Sequence, residues 1–557
     1  MIDLCEKTAV IKVNVNGVFK EVKRGISLLE LSKMVEQGTK LDVLAARVNN
    51  KVQDLQEVLE EDCTVRFIDM TCEDGVRIYK RSLFFVLLKA VKTMYPERKL
   101  NIRHSLSRGT YCEMHGIRPL EKEELENLEE KMQEIVSKKI PLIRRKVSAQ
   151  EARELFKQAG ELDKVSLLEH WNKEDFSIYS LGDMDNYLYG YMVPHTGYLK
   201  KFELKYYKKG FILRYPDKYS PFEIPAYEEN PKLFQVLDEY KKWGEILNIS
   251  NVGALNELIS AGKGGEIIRI SEALHEKKIA YIADTIQEKA DQLKVILISG
   301  PSSSGKTTFA QRLAVHLRVN ALKPVTISLD DYFVERKFTP VDENGEPDFE
   351  AVEAIDIDLF NQHLRQLIEG KEVEIPIFSF HTGKREPKGR PLQLINGEIM
   401  IIEGIHGLNE RLTFAIPHKH KFKIYVSALM QLSRDNYNPN STTDTRLIRR
   451  MVRDNQFRSN PPIGTFNMWP SVRRGETRNI FPFQEQADVM FNSALVYELA
   501  VLKDHAIPLL EQIKSNEEAY SEARRLISFL RFFKSLPSDQ IPNNSIIREF
   551  IGGSVFY

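Results

Sequence analysis

Residues 295–319, "VILISGPSSSGKTTFAQRLAVHLRV", constrain the fold more than any other stretch. A short apolar run leads into Gly300-x4-Gly305-Lys306-Thr307, and an amphipathic helical pattern follows. Strand, glycine-rich turn and helix in that order form a phosphate cradle: the turn aims backbone N–H groups inward, and the helix N-terminus adds its positive dipole. Gly300, Pro301, Ser302, Ser303, Ser304, Gly305, Lys306, Thr307 and Thr308 are expected around the phosphates of a nucleoside triphosphate. Lys306 is placed to reach the β- and γ-phosphates and Thr307 to offer a hydroxyl to Mg²⁺. ATP fits better than GTP, because the N-K-x-D match, Asn172 to Asp175, lies far upstream of the loop. Three further apolar runs, in "PVTISLDDY", "EIMIIEG" and "KFKIYVSA", have the character of buried parallel strands. The pattern predicts a doubly wound α/β domain beginning near residue 291.

Ligands in such sheets sit beyond the carboxyl ends of the strands. Asp330 and Asp331 follow "VTISL", and Glu403 closes "EIMIIEG". Either aspartate could orient or deprotonate an acceptor hydroxyl, and Glu403 could belong to the Mg²⁺ shell; each could instead be a turn or helix cap. Arg446, Arg449, Arg450 and Arg453 fall at i, i+3, i+4 and i+7, one face of a helix. Four cations on one stripe need anions opposite, which a lid closing over phosphates would supply; a solvated basic face or an RNA patch would look the same.

Here the similarity to a known family becomes specific. "GPSSSGKTTFA", "ISLDDYF", "DFEAVEAIDIDLF", "IPIFSFHTGKR", "MIIEGIHGL" and "TDTRLIRRMVRD", in that order, resemble the uridine kinase and phosphoribulokinase family of P-loop kinases. The resemblance implies ATP and Mg²⁺ as cofactors and phosphoryl transfer to the 5′-hydroxyl of uridine, with cytidine as a second acceptor. By position it makes Lys306, Asp330 and Arg449 catalytic. Arg450 and Arg453 join the loop in holding the nucleotide, and Thr307 and Glu403 hold the metal. The acceptor pocket takes Asp331, Phe333, Phe349, Phe378, Phe380, Arg385 and Arg446, with Glu350 beside Phe349 in the ribose region. The chain departs from the uridine kinases in carrying Phe333 and Phe378 where Tyr is usual, Glu350 where Asp is usual, and Gly383 where His is usual, with His381 shifted. These departures keep a second acceptor class open, a sugar phosphate or another small alcohol. An RNA-associated regulatory ATPase is a third reading.

The first half reads differently. "AVIKVNVNGVFKEV" alternates around Asn16-Gly17, a hairpin signal. A helical stretch ending on Gly38 and two more strands complete a β-grasp. Residues 8–70 resemble the TGS domain of threonyl-tRNA synthetases. Residues 75–225 resemble the editing domain of the same enzymes, through "KRSLFFVLLKAVKTMYP", "GDMDNYLYGYMVPHTGYLKKFELKYY" and "GFILRYPD". The His and Cys positions of that editing site fall on Arg81, Phe85, Leu188 and Met192, which neither hold zinc nor move protons as His and Cys do. The resemblance therefore implies a lost editing activity. "KKFELKYYKKG" mixes lysines and aromatics, as RNA-contacting surfaces can, and as solvated strand edges also do.

The expected organisation is α/β and multidomain: 1–70 a TGS-like β-grasp, 71–240 an editing-like α+β domain, 241–290 a helical connector, 291–515 the P-loop domain, and 516–557 a C-terminal helix and tail. The charge-rich helix "EKEELENLEEKMQEIVSKK" reads as a solvated face. Formal net charge is zero, so no global field draws nucleic acid. Cys5, Cys63, Cys72 and Cys112 are too scattered for a disulfide framework and suggest reduced thiols in a cytoplasmic protein. No apolar run approaches the roughly 20 residues of a membrane span. A small-molecule nucleoside is the expected partner, RNA contact through the N-terminal half a further one, and assembly into oligomers follows the family's habit.

Overall fold

A computed structural model describes residues 10–35, 40–171, 175–343, 345–379 and 381–556. Phe380, Gly38, Cys5 and Asn172 of the sequence expectations lie outside these residues. The N-terminal unit begins with β1 (Val10–Val15) and β2 (Val18–Lys23), joined at Asn16-Gly17. Both turn residues have positive φ, 52° and 90°, the two-residue hairpin turn that Asn-Gly favours. Helix α1 (Leu28–Lys33) is started by a capping box between Ser27 and Glu30. Strands β3 (Ala45–Val48), β4 (Lys51–Gln53) and β5 (Cys63–Ile68) close a sheet of order β2-β1-β5-β3-β4, in which β1 and β5 are parallel. This is the expected β-grasp.

Helix α2 (Glu73–Met94) is charged towards its start, and every residue from Ser82 to Val91 except Lys89 is buried. It is followed by β6 (Lys99–Leu106), β7 (Gly109–His115) and α3 (Lys122–Ser137). The charge-rich α3 is not simply solvated: Leu125, Leu128, Met132 and Ile135 recur at helical spacing and are buried, while the charges line the other face. Strands β8 (Leu142–Ser148), β9 (Asp175–Leu181) and β10 (Met184–Asn186) form a small antiparallel sheet. Strands β11 (Glu203–Tyr207) and β12 (Gly210–Arg214) join β7 and β6 in a second one.

Helix α4 (Pro231–Ile246) runs through the expected boundary at residue 240, because its apolar face continues unbroken from Leu233 to Trp243. With α5 (Val252–Ser260) and α6 (Gly264–Gln287) it packs on its neighbours. Ile267, Ile268, Ile279 and Ile282 of α6 share one core with Phe309 and Leu313.

The P-loop domain has β13 (Val295–Ser299), α7 (Lys306–Val319), β14 (Lys323–Ser328), β15 (Glu398–Glu403), β16 (Lys421–Ser427), α8 (Thr442–Phe457), α9 (Pro462–Asn479) and β17 (Val489–Asn492). The sheet order is β14-β15-β13-β16-β17, and every pairing is parallel. All five residues of β13 and all seven of β16 are buried, as expected of strands covered on both faces. The chain ends with α10 (Glu498–Leu510), α11 (Tyr520–Leu530) and the single turn α12 (Arg548–Ile551).

The halves are tied by charge as well as by packing. Arg77 of α2 grips Glu522 of α11 with two bonds of 2.8 and 3.0 Å, and Arg525 grips Asp444 of α8 with two of 2.8 Å. No helix among the described residues is long and apolar enough to cross a membrane.

Candidate active site

Register assembles the site. Glu403 at the end of β15 lies opposite Ser328 of β14 on one side and Ile298 of β13 on the other. The loop after β13 and the acids after β14 and β15 therefore converge at one edge of the sheet. Ser328 Oγ donates to Glu403 Oε1 at 3.1 Å. The loop turns through Ser303 and Gly305, whose φ values are 59° and 82°. A Cβ on Gly300 would stand 1.9 Å from the Val426 carbonyl oxygen, so only glycine lets the loop leave the strand there.

Lys306, Asp330 and Glu403 are close enough to perturb one another. Burial lowers the Lys306 ammonium, and the Glu403, Asp330 and Glu549 carboxylates oppose that. Burial raises Asp330. Burial and the Asp330 charge push Glu403 up to about 7. Glu350 joins them: burial and the charge of Glu476 push it up to about 7, and its Oε2 has no hydrogen-bond partner. Buried carboxylates that raise one another mark a deficit of positive charge. A divalent cation suits that deficit, and Thr307 and Glu403 offer the oxygen donors a hard ion takes.

The arginine stripe is where the expectation needs correcting. Its anions are protein carboxylates, not phosphates alone. Arg446 pairs with Glu476 through both amino groups, one bond 2.8 Å long, and also donates to the Ser302 carbonyl at 3.1 Å. Burial alone would push Glu476 up, yet the Arg446 and Arg473 guanidiniums hold it below the usual carboxylate range. Arg449 is fully buried, bound to Glu498 at 2.5 Å and to the Ser493 carbonyl at 2.9 Å. Arg450 donates to Ser302 Oγ at 2.8 Å and to Asp454 at 3.2 Å. Arg446 and Arg449 thus brace the loop from behind. Arg453 faces the acids from the other side, 3.6 Å from Glu549. The sequence pattern could not show this, because Glu476, Glu498 and Glu549 come from distant segments with no recognisable spacing.

The acceptor side is mixed. Phe333 and Phe378 meet with ring centroids 5.7 Å apart, and Asp331 is beside Phe378, whose backbone N–H it accepts. Phe349 is largely exposed. Arg385, expected to face an acceptor, is spent on the loop itself: it donates to the carbonyls of Phe333 (3.1 Å) and Tyr332 (3.0 Å) and pairs with Asp356 at 3.1 Å. Gly383 sits against the Arg336 side chain, and His381 is exposed.

Three groups at the site were missed. His406, in the motif "MIIEGIHGL", is buried and held near neutral charge, its pKa lowered by burial to about 4. Ser493 after β17 donates to the Ser304 carbonyl. Glu549 accepts from Thr308. His406 alone had a signal, being three residues past Glu403.

In the N-terminal half, Arg81, Phe85, Leu188 and Met192 are packed rather than open. Arg81 donates to the Tyr191 carbonyl and lies against Gly190; burial lowers it to about 10. The other three belong to one apolar core. Among the lysines of "KKFELKYYKKG", Lys200 pairs with Asp42 at 2.6 Å and Lys205 lies over the Tyr227 ring at 4.2 Å. Among the described residues no group of His, Cys, Asp and Glu is arranged to hold a metal by itself. Cys63, Cys72 and Cys112 are free thiols.

A five-stranded parallel sheet of this order, with the phosphate loop on its central strand and acids ending the two strands to one side of it, defines a P-loop kinase-like α/β domain. Residues 295–499 match the Phosphoribulokinase / Uridine kinase family, and this part of the chain is a domain of that family. Residues 13–69 are a TGS domain. Over 190 residues the chain is 34% identical to a threonine–tRNA ligase of Desulforamulus reducens, covering 34% of this chain and 30% of that protein. The ligase of Symbiobacterium thermophilum is 31% identical over the same length, with 34% and 29% covered. The chain thus spans about 30% of the length of the curated relatives it matches. Among solved structures, one titled a possible uridine kinase, from Bacillus stearothermophilus, is 20% identical and covers 39% of this chain and 98% of its own, at a TM-score of 0.26.

Proposed function

We propose that the chain is an ATP-dependent kinase that phosphorylates the 5′-hydroxyl of a nucleoside, uridine and secondarily cytidine. The observation that carries the reading is the convergence of Lys306, Asp330 and Glu403 at the ends of three adjacent parallel strands. Asp330 takes the proton of the acceptor hydroxyl as its oxygen attacks the γ-phosphorus. The bond from that phosphorus to the β–γ bridging oxygen breaks, and ADP leaves with the bridging oxygen. A carboxylate whose pKa burial has raised is a better base for this step than an exposed one. Lys306 and the loop N–H groups neutralise charge that grows on the leaving oxygens. Thr307 and Glu403 would hold Mg²⁺, which would supply positive charge to neutralise the phosphates. Arg446 and Arg449 act as positioning residues for the loop, and Arg453, whose charge acts on Lys306 and Asp330, is the arginine assigned to the phosphates.

A second reading keeps the chemistry and changes the acceptor to a sugar phosphate or another small alcohol. The Phe333–Phe378 pair favours it, since neither ring carries a hydroxyl to read a base edge. Product formation from ATP and Mg²⁺ with uridine, cytidine, other nucleosides, ribulose 5-phosphate and pantothenate separates the two. UMP formation lost in Lys306→Ala and Asp330→Asn supports the nucleoside kinase. Turnover of a non-nucleoside alone moves the reading to the second acceptor class. ATP hydrolysis stimulated by tRNA with every acceptor inert overturns both in favour of an RNA-linked ATPase.

A further inference from the structure

One cavity lies away from the phosphate loop. It holds about 530 Å³ and lies where β6 and β7, helices α4 and α6, and the loops after β16 and β17 meet. Its aromatic wall is Phe234, Tyr240 and Trp243, the last two in tilted contact with centroids 3.9 Å apart, and His104 lines it beside Tyr111. Lining residues with buried polar atoms that are hydrogen-bonded to nothing include His104, at both ring nitrogens, Tyr111 at Oη, Ser271 at Oγ and Gln431 at Nε2. Buried polar atoms are nearly always paired, so several unpaired ones in the walls of a single void favour a polar occupant.

The charges say what kind. Arg103 and Lys241 both line the cavity, but both are spent on Glu113, at 3.0 Å and 2.9 Å, and Asp238 adds a further negative charge. His104 is held neutral by burial, its pKa lowered to about 3. No cation is left over for a phosphate. An aromatic wall with neutral donors and acceptors suits a flat heteroaromatic molecule, and the volume suits one of nucleoside size.

We propose that this cavity binds an uncharged nucleoside or nucleobase at a site separate from the phosphate-loop centre and communicates with that centre. The connection is short. Tyr240 Oη donates to the Asn492 carbonyl at 2.5 Å. The next residue, Ser493, donates to the Ser304 carbonyl of the loop and receives Arg449. A ligand that moves Tyr240 therefore acts on the loop through two bonds. The regulatory part of the inference rests on the kinase reading; binding in the cavity does not.

Titration of the full-length protein with uridine, adenosine, uracil and UMP, by calorimetry and by Trp243 fluorescence, tests it. The outcome expected is a site that survives Asp330→Asn, weakens at least tenfold in Gln431→Leu and in Ser271→Phe, and prefers the nucleoside to UMP by tenfold or more. Far-UV circular dichroism and the melting temperature certify that both cavity variants are folded, and Gln431→Leu, at a partly exposed position, is the milder of the two. Binding that is abolished by Asp330→Asn and untouched by both cavity variants assigns all ligand to the acceptor site and overturns the proposal. Absence of any binding, or equal affinity for nucleoside and nucleotide at the surviving site, also overturns it. Neither result bears on UMP formation, so the kinase reading stands or falls separately.

Discussion

Glu549 Oε2 accepts hydrogen bonds from both the backbone N–H (3.3 Å) and the hydroxyl (2.9 Å) of Thr308. A carboxylate from the last turn of the chain thus occupies the first turn of the phosphate-loop helix. That is a place for anions, with unpaired N–H groups and the positive end of the helix dipole. Neighbouring tail residues reinforce the contact: Ile546 packs on Gly305, and the Arg449 guanidinium lies 4.9 Å over the Phe550 ring.

Glu549 should therefore compete with a nucleotide phosphate. A carboxylate at a helix N-terminus contributes about 1 kcal/mol, so Glu549→Ala should lower KM for ATP by roughly fivefold with little change in kcat. ATP titrations of both proteins at saturating acceptor measure this. A rise in KM instead would make Glu549 part of the nucleotide site rather than its rival.

Lys306→Ala and Asp330→Asn remove different contributions to one barrier. Each should cost roughly 10²–10⁴ in kcat while leaving the melting temperature within a few degrees of the parent. Combined, they should cost much less than the product of the two losses, because the groups act on the same transition state. Single-turnover rates with radiolabelled ATP resolve this, and full additivity would argue for separate roles.

Glu350 gives the site a pH dependence. Burial and the Glu476 charge place its pKa near 7, above the ordinary carboxylate value, so it is protonated below pH 7 and ionised above. An ionised, unpaired Oε2 accepts from an acceptor hydroxyl; a protonated carboxyl does so poorly. KM for the acceptor should fall as pH rises from 6 to 8, and Glu350→Gln should flatten that profile. An unchanged profile in Glu350→Gln would remove this residue from the acceptor site.

The Arg446–Glu476 pair, both side chains almost wholly buried, should be expensive to break on one side. Glu476→Gln leaves an unpaired guanidinium behind the loop and should cost about 3–5 kcal/mol. Arg446→Met with Glu476→Leu removes both charges and should regain most of that loss while still loosening the loop. Urea unfolding of the three variants tests the ordering.

Much of this fold could be read from local pattern. The Asn16-Gly17 turn, the all-buried β13, and the step from Ser299 through the loop into α7 follow from rules acting over a few residues. Lys306, Asp330 and Glu403 were also legible, because each lies at or just beyond the end of an apolar strand, Lys306 across the phosphate loop, and parallel register brings strand ends together. The boundary at 240 was not, since a helix is held by the surface it packs on and α4 packs across both halves.

Chain chemistry alone settles that a phosphate loop exists and which side of the sheet it opens on. It does not settle what the arginines of α8 do. Four cations at helical spacing need anions, and any carboxylate that folding brings near will serve. Glu476, Glu498 and Glu549 are 30, 49 and 96 residues from their arginine partners Arg446, Arg449 and Arg453. Partners that far apart meet only when the whole chain has packed, because Coulomb attraction and desolvation depend on distance in space and not along the sequence.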